Sequence, residues 1–486
     1  MSRRRRVGVA AAAGVAAAGG AAAVALRDGD RRHRLERQAR VWRLTVRRAA
    51  HFAWIRLRGR GRSEEDRQKL EAQFAVKTAE DVAQVLGGMK GAIMKAGQMI
   101  SFVADGLPKE AQEALATLQA DVPPMAPSLA EQVVRDELGA DPERLFLDWD
   151  PMPVAAASIG QVHRAVMPDG RIVAVKVQYP GVDKAIKSDL DNAELLYGLF
   201  AQFALRNMDV KALVDELRAR MADELDYRLE ARCQTEFVAR YRDHPFIRVP
   251  AVVPERSARR VLTSEWVEGM RWQEFLDTAD QTRKDRAGEV LMRFAQGSIR
   301  SFGVFNGDPH PGNYRFHDDG SITFLDFGLV KRWAPGEFDR LDHVLDAILD
   351  GEAKRAVDAA VEAGFLRPDH GFEPAFVFEY IRKPYEPFQT DSFTYTRKWT
   401  ADALATVLDI QGRYGKLIQS FNMPTSYVIL DRVVWGLSAL LGRLRATNNW
   451  RGILAEYRKG APPCTPLGEL EATWRGSVSP LPGPSR

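Results

Sequence analysis

The sequence predicts an α+β fold with two lobes, a small lobe that holds strands and a larger, mostly helical lobe. Two strand-like stretches support the small lobe: Arg171–Gln178 alternates apolar and polar residues between glycine-containing turns, and Val261–Gly269 ends in Glu-Gly. Between them, Val214–Phe237 has the apolar spacing of an amphipathic helix. We therefore assign residues 151–268 to the small lobe and residues 269–460 to the large lobe.

Two short motifs carry the residues with the clearest chemistry. Residues 306–313 read Asn-Gly-Asp-Pro-His-Pro-Gly-Asn, and residues 325–328 read Leu-Asp-Phe-Gly. In the pattern that protein kinases use for phosphoryl transfer, the first Asp, here Asp308, accepts the proton of a substrate hydroxyl. Asn313, five positions later, and Asp326 of the second motif would hold Mg²⁺ against phosphate groups. The spacing indicates a nucleotide-dependent phosphoryl-transfer site.

A strand lysine and a helix glutamate would complete such a site. Lys176 ends the sequence Val-Ala-Val-Lys in the first strand, the position from which a lysine reaches nucleotide phosphates. We predict that Glu230, on the amphipathic helix, pairs with Lys176 and orients it. Exposed backbone groups near Glu265 and Val267, at the end of the second strand, are predicted to meet the adenine ring.

The segment predicted to cover the phosphates differs from the glycine-rich loop of ordinary kinases. Its residues are Ala155, Ala156, Ala157 and Ser158, so three alanines stand where glycines would be. Each Cβ leaves the backbone fewer conformations than glycine allows. We therefore expect a loop that approaches the phosphates less closely than a glycine-rich one.

Further motifs, which ordinary kinases lack, are typical of one family. They are Lys95-Ala96-Gly97-Gln98, Leu118–Pro124, the alanine-rich segment, Glu224-Leu225-Asp226 and the Asp308–Asn313 motif. Through them the chain, from about Gln73 to Val330, resembles the UbiB/AarF-like family of atypical protein kinases, the bacterial relatives of the mitochondrial ADCK proteins. One departure is Asn306-Gly307, where many members have His-Ala. The acid itself is unchanged, so Asp308 is kept as the catalytic residue.

The resemblance implies a kinase-like fold preceded by a helical extension, residues 73–150, that carries the K-x-G-Q motif. In the family this extension folds over the cleft, which places Lys95 and Gln98 at the nucleotide together with Glu224 and Asp226. It implies Mg²⁺ and ATP or ADP as cofactors. It also implies support of isoprenoid-quinone metabolism, such as ubiquinone biosynthesis, or of other prenyl-lipid metabolism. Membrane lipid, prenyl-quinone intermediates and other lipid-biosynthesis enzymes are the expected partners.

Two other functions stay open. A non-catalytic, nucleotide-sensing scaffold for lipid enzymes would need the same fold, although the set of Lys176, Asp308, Asn313 and Asp326 argues against it. A small-molecule phosphotransferase would share the loop that carries Asp308 but not the K-x-G-Q and alanine-rich motifs. Turnover measurements separate the first alternative from an enzyme.

Composition limits the kinds of partner that are expected, and the first residues of the chain suggest how it could associate with a membrane. The 486 residues have a net charge of +4 and contain no nucleic-acid-binding pattern, so nucleic acid is not expected as a partner. Residues 1–72 contain an Ala/Gly-rich stretch, Val7–Leu26, and a basic stretch, Arg34–Arg58, that could lie on an anionic membrane surface. A signal peptide, a single N-terminal anchor and a peripheral segment are the three alternatives for the start of the chain.

We predict a location on the cytoplasmic side of a membrane, peripheral or held by that anchor, because the heavier basic charge follows the uncharged stretch. Cys233 and Cys464 match no metal spacing and suit a reducing compartment. Val428–Leu444 is apolar but contains Asp431 and Arg432, which favours a buried helix over a membrane span. Residues 461–486 are predicted to form a disordered tail rich in Pro and Gly.

Overall fold

The computed structural model describes residues 125–157, 159–183, 223–333, 337–408, 412–422 and 425–477. The chain divides into two compact units, and the one formed by Met1–Gly97, Pro108–Ala120 and Gly181–Asp215 lies almost wholly outside the described residues. The second unit contains both lobes of an α+β, kinase-like fold. The K-x-G-Q motif and residues 73–124 of the predicted extension lie outside the described residues, whereas residues 125–150 are described and pack on the small-lobe sheet.

The small lobe is an antiparallel sheet with helices packed against it. Its elements are α1 (Pro127–Leu138), α2 (Pro142–Leu145), β1 (Asp148–Trp149), β2 (Ala155–Ala157), β3 (Gly160–Val166), β4 (Ile172–Gln178) and, later in the chain, β6 (Val261–Glu265). The strand order is β1-β3-β4-β6, with β2 also paired to β3. Val173, Val175 and Val177 alternate along β4 and pack against Val133 and Val134 of α1 in one buried cluster. The alternating side chains of β4 leave Lys176 on the opposite face of the sheet.

The helix that carries Glu230, α3 (Tyr227–Arg240), is shorter than the sequence predicts. Asp226 has extended backbone angles and caps the helix by accepting a hydrogen bond from the Arg228 amide, so no single helix runs through Val214–Phe237. Strand β5 (Ile247–Arg248) follows α3 and pairs in parallel with β9 (Ile322–Phe324) of the large lobe. The chain therefore crosses to the large lobe before it returns to the small-lobe sheet in β6.

The large lobe is built on a long central helix. After α4 (Trp272–Thr278), α5 (Gln281–Phe302) begins at Asp280, whose side chain accepts from the Arg283 amide, and ends at Gly303 with φ 63°. Three further short strands follow, and β7 pairs with β10 while β8 pairs with β9. They are β7 (Val304–Asn306), β8 (Tyr314–Phe316) and β10 (Val330–Arg332). Both predicted motifs thus lie between short strands.

The rest of the large lobe is helical. Its elements are α6 (Glu337–Leu349), α7 (Ala353–Glu362), α8 (Pro374–Ile381), β11 (Phe393–Thr394), α9 (Arg397–Leu408), α10 (Gly415–Ser420), α11 (Thr425–Leu444), β12 (Thr447–Asn448), α12 (Trp450–Lys459) and α13 (Pro466–Ser477). Buried residues of α5, α11 and α12 form one apolar core, and those of α6 to α8 form another.

The tail prediction for residues 461–486 was wrong for Pro466–Ser477, which form α13. Leu467 is buried in the core, and Glu471 is buried in an ion-pair network around Arg293 of α5. A proline at the first helical position is compatible with a helix, because that residue needs no intrahelical N–H bond. Local composition suggested disorder, but the tertiary contacts of these two side chains stabilise a helix.

The apolar stretch Val428–Leu444 belongs to α11, whose buried residues contact α5 and α9. Asp431 and Arg432 both lie in this helix. Within the described parts of the chain, no helix combines the length and hydropathy needed to cross a bilayer.

Candidate functional site

Three charged side chains meet between the small-lobe sheet and α3. The Nζ atom of Lys176 lies 2.9 Å from both carboxylate oxygens of Glu230 and 3.7 Å from Oδ2 of Asp326. Lys176 and Glu230 are buried, with 16% and 6% of their side-chain surface exposed, while Asp326 retains 27%. The strand lysine, the helix glutamate and the Asp of the Asp-Phe-Gly triplet therefore form one cluster, as the sequence predicts.

Charge balance keeps this lysine protonated. Burial by itself lowers the pKa of Lys176, but the Glu230 and Asp326 carboxylates more than offset it and hold that pKa well above its usual value. The ammonium also lies 4.9 Å from the centre of the Tyr227 ring, whose own phenol pKa is raised by burial. Lys176 is thus a fixed, buried cation facing a partly exposed carboxylate.

The Asp-Phe-Gly triplet is anchored to α3. Phe327 is fully buried, with its ring 4.8 Å from that of Phe237 on α3. The Gly328 amide donates to Oδ1 of Asp326 at 2.9 Å, and a Cβ at position 328 would lie 3.3 Å from that oxygen and 3.6 Å from Oε2 of Glu230. Glycine at this position therefore keeps the space between the two carboxylates open.

The loop that carries Asp308 is held by its two asparagines. Oδ1 of Asn306 accepts a hydrogen bond from the Asp308 amide at 2.9 Å, and Nδ2 of Asn306 donates to the Asp326 carbonyl. Nδ2 of Asn313 donates to the Asp308 carbonyl at 3.1 Å and to its Oδ2 at 3.3 Å. Asn306 thus connects the two motifs, a role that the sequence analysis, which saw it as a departure from the family pattern, did not assign.

A third partner of Asp308 comes from outside the predicted motifs. Nη2 of Arg432, on α11, donates to Oδ1 of Asp308 at 2.5 Å, and both side chains are largely buried. The sequence signal was the charge inside the apolar stretch Val428–Leu444, because a buried charge requires a partner. That charge was used only as evidence against a membrane span.

The alanine-rich segment is a strand and not a loop, which corrects the prediction. Ala155, Ala156 and Ala157 pair with Val162, Gln161 and Gly160 of β3, and Ser158 lies outside the described residues. Alanine satisfies a strand's backbone geometry, so the reversal falls between residues 157 and 160. The three alanines themselves are therefore not a phosphate-covering loop.

The strand end predicted to meet adenine lies beside the lysine strand, since Leu262 of β6 pairs with Lys176. The Glu265 amide donates to the Ala251 carbonyl at 2.9 Å, and its carboxylate accepts from the Ala251 amide at 2.9 Å. The Trp266 amide donates a hydrogen bond to the Ile172 carbonyl at 3.0 Å. The Glu265 amide therefore already donates to a backbone carbonyl, and Val267 lies two residues beyond the end of β6.

Of the remaining predicted residues, Glu224 lies near this cluster, since its charge acts on the Tyr227 phenol together with those of Lys176, Glu230 and Asp326. The Asp226 carboxylate caps α3 and pairs with Arg228 at 2.6 Å, and the hydrogen bonds from Arg228 lower its pKa. The Glu224 carbonyl accepts a long hydrogen bond, 3.5 Å, from Gln178, which follows Lys176 by two residues. Lys95 and Gln98 lie outside the described residues.

The donor set fits a magnesium ion shared with a phosphate. Among the described residues, no group of three or more His, Cys, Asp or Glu side chains could form an all-protein metal cage. Mg²⁺ is commonly bound by one or two carboxylates together with substrate phosphates and water. Asp326 supplies a partly exposed carboxylate as a ligand. Asn313 would supply its side-chain oxygen, since it is the side-chain nitrogen that donates to Asp308.

Comparison with known proteins agrees with this geometry. The family model for the ABC1 atypical kinase-like domain matches residues 117–360. The chain belongs to this family. It is 34% identical over 74% of its length to the protein "Atypical kinase COQ8, mitochondrial" of Saccharomyces cerevisiae, of which it covers 72%. The ABC1 family assignment confirms both the predicted resemblance and the kinase-like fold.

Other relatives are larger, and one solved structure is similar throughout. The chain is 34% identical over 61% of its length to "Protein ACTIVITY OF BC1 COMPLEX KINASE 1, chloroplastic" of Arabidopsis thaliana, but spans only 44% of that protein. The structure of Rv3197 from Mycobacterium tuberculosis, solved with erythromycin, matches 80% of this ABC1-family chain and 98% of its own, with TM-score 0.60 and 33% identity. A kinase-like domain implies nucleotide binding in general terms.

Proposed function

We propose that this chain is an atypical kinase or ATPase of the UbiB type that uses Mg-ATP in support of isoprenoid-quinone or other prenyl-lipid metabolism. The observation that carries the proposal is the buried cluster of Lys176, Glu230 and Asp326 beside the loop of Asp308. Burying three charges is costly unless they serve one another or a ligand. A phosphate-binding lysine and a metal-binding carboxylate account for this arrangement.

The roles follow from the contacts. Lys176, oriented by both oxygens of Glu230, would donate to phosphate oxygens. Asp326 and Asn313 would hold Mg²⁺, which neutralises phosphate charge when bound. Asp308 would accept the proton of the attacking hydroxyl or water as the new bond to the terminal phosphorus forms and the bond to the bridging oxygen of ADP breaks. Water as the acceptor gives ATP hydrolysis.

The lipid-linked part of the proposal rests on the family resemblance and on the basic residues 34–58 of the sequence. A basic stretch with interspersed apolar and aromatic residues suits a peripheral position on an anionic membrane. We place the enzyme on the cytoplasmic side of such a membrane, where ATP is supplied.

The test is steady-state ATP turnover by the purified full chain with Mg²⁺, alone and with anionic liposomes and prenyl-quinone-like phenols. Asp308→Asn and Lys176→Met should each lower turnover by at least about 100-fold, because each removes a group used in the transition state. Asp318→Asn is the matched control, since Asp318 lies in the same lobe with 94% of its side chain exposed. A wild-type protein that binds Mg-ATP but shows no turnover under any of these conditions would favour the non-catalytic scaffold.

A further inference from the structure

The large-lobe helix α11 contributes a side chain to the loop of Asp308 that no motif of this chain predicts. Nη2 of Arg432 lies 2.5 Å from Oδ1 of Asp308, with 13% of the arginine and 5% of the aspartate side chain exposed. The two residues are 124 positions apart in the sequence. Their contact therefore exists only in the folded large lobe.

The position of Arg432 is fixed by its helix. On the same turn, Nε1 of Trp435 donates to Oδ1 of Asp431 at 3.1 Å, and the buried side chains of Val433 and Leu437 pack into the two large-lobe cores. The Ser438 carbonyl accepts from Thr400 of α9 at 3.2 Å. The guanidinium thus projects from a packed helix, which holds side chains more accurately than a loop does.

With Arg432 in place, both oxygens of the Asp308 carboxylate have a donor. Oδ1 receives Arg432, and Oδ2 receives Nδ2 of Asn313 at 3.3 Å. Two donors from different elements restrict the carboxylate to one orientation. The guanidinium also offsets the negative charge of Asp308 as the anionic triphosphate approaches, which lowers the repulsion between them.

We propose that Arg432 is a positioning residue for phosphoryl transfer, acting through Asp308. The inference rests on the proposed function, because it requires that Asp308 take part in turnover. A positioning role predicts a loss in kcat with nucleotide binding largely kept, since Lys176, Glu230 and Asp326 are held by elements other than α11. A structural role alone would lower stability and leave the kcat of the folded protein unchanged.

The experiment compares Arg432→Met, Arg432→Lys, Asp308→Asn and the double variant Arg432→Met/Asp308→Asn in ATP turnover. Arg300→Met is the matched control, because Arg300 also forms a 2.9 Å ion pair from a buried position, with Asp342, away from the Asp308 loop. Arg432→Met should lower kcat by about 30–100-fold with the KM for Mg-ATP within about twofold, the size of effect expected from misplacing a catalytic group. Arg432→Lys, which keeps the charge, should recover part of that loss, and Arg300→Met should retain wild-type kcat.

The double variant decides whether Arg432 acts through Asp308. The double variant should turn over no more slowly than Asp308→Asn alone, because the residue that Arg432 positions is already disabled. Multiplicative losses, or an Arg432→Met kcat equal to that of Arg300→Met, would overturn the positioning role while leaving the proposed function intact. A wild-type chain without any turnover would instead remove the proposed function, and the inference with it.

Discussion

At the residue scale, Asp326 is the group whose surroundings best match a metal ligand. Its Oδ1 accepts the Gly328 amide at 2.9 Å, which orients the carboxylate, while its Oδ2 lies 3.7 Å from Lys176. More than a quarter of the side chain remains exposed, in contrast to Glu230. The Asp326 carboxylate is therefore oriented by its own loop and still accessible to a cation in the cleft.

Asp326→Asn is expected to abolish the stabilisation of the protein by Mg-nucleotide. The substitution keeps the shape of the side chain but removes the anionic charge that a hard cation requires. Thermal unfolding with and without Mg-ATP measures the effect, and Asp318→Asn, which changes an exposed carboxylate, should keep the wild-type shift. If Asp326→Asn retained the full shift, Asp326 would not be a metal ligand.

Residue types and spacing pointed to Lys176, Asp308, Asn313 and Asp326, because the kinase pattern has them in this order, whereas the choice of Glu230 also needed the family resemblance. They were not sufficient for Arg432, which reaches Asp308 from a helix 124 positions away. Asn306 was visible in the sequence, but its hydrogen bond to the Asp326 carbonyl depends on the approach of the two motifs in space. Contacts set by tertiary structure have no fixed spacing in the sequence.

At the scale of single elements, α11 carries an acid, Asp431, next to Arg432, with its side chain at the exposed surface of the helix. Desolvation by the surrounding protein still raises the pKa of Asp431 to about 6, partly opposed by the hydrogen bond from Trp435. An acid whose pKa is higher in the folded state favours folding in its protonated form, so its contribution is present below the unfolded value of about 3.9 and is lost as pH rises through about 6. The ionised form of Asp431 thus weakens α11 at neutral pH.

Asp431→Asn is expected to stabilise the protein at pH 8 by about 1 kcal/mol or less, because water screens much of the charge of an exposed carboxylate. Asn carries no charge and can still accept the Trp435 hydrogen bond. Urea unfolding between pH 4 and pH 8 should show the gain appearing as pH rises and vanishing near pH 4. Asp402→Asn on α9, where the carboxylate is 58% exposed, is the control and should show no comparable trend.

The alanine-rich segment shows the limit of prediction for an element. The Cβ atoms of its three alanines do limit the backbone conformations, as the sequence predicts. The conformation that these residues adopt is a β-strand and not a loop. The start of α3 shows the same limit. The apolar spacing of Val214–Phe237 continues across Asp226, whose extended backbone interrupts the predicted helix and caps the start of α3. Periodicity identifies the elements and their faces but not their boundaries.

At the scale of the whole molecule, α13 is joined to the central helix by a buried ion-pair network. Arg293, with 1% of its side chain exposed, contacts Glu289, Glu456 and Glu471 at 2.7, 2.8 and 3.1 Å. Tyr457 also donates to Glu471. Although burial opposes it, His244, Arg475, Tyr457 and Arg293 together lower the pKa of Glu471 to about 2. Since this pKa is depressed, its contribution is present above the unfolded value and is lost as pH falls towards 2.

Arg293→Met is expected to destabilise the protein by about 3–5 kcal/mol, because it leaves buried carboxylates without their shared cation. The urea midpoint at pH 7 is the measurement. Arg451→Met provides the control, since Arg451 is 58% exposed and its nearest carboxylate lies 3.9 Å away. Equal midpoints for the two variants would show that the network does not hold α13 to the lobe.

The sequence predicted the two-lobed fold, because the longest alternating strands lie before residue 268 and helical patterning predominates after it, where the strands are short. It did not predict α13, because the residues that hold it lie on α5 and α12, far away along the chain. Low local hydrophobicity is a poor guide for a segment whose anchor is a buried arginine elsewhere.

The crossing of the chain through β5 has a mechanical consequence for the cleft. Directly after α3, the chain forms β5, which pairs with β9 of the large lobe, and Phe237 of α3 packs on Phe327, so this helix is attached to the large lobe. Lys176 belongs instead to β4 of the small-lobe sheet. If the small-lobe sheet moved away from α3, the 2.9 Å contact between Lys176 and Glu230 would lengthen. This salt bridge therefore links the two lobes, and the distance between Lys176 and Glu230 follows how far the cleft is closed.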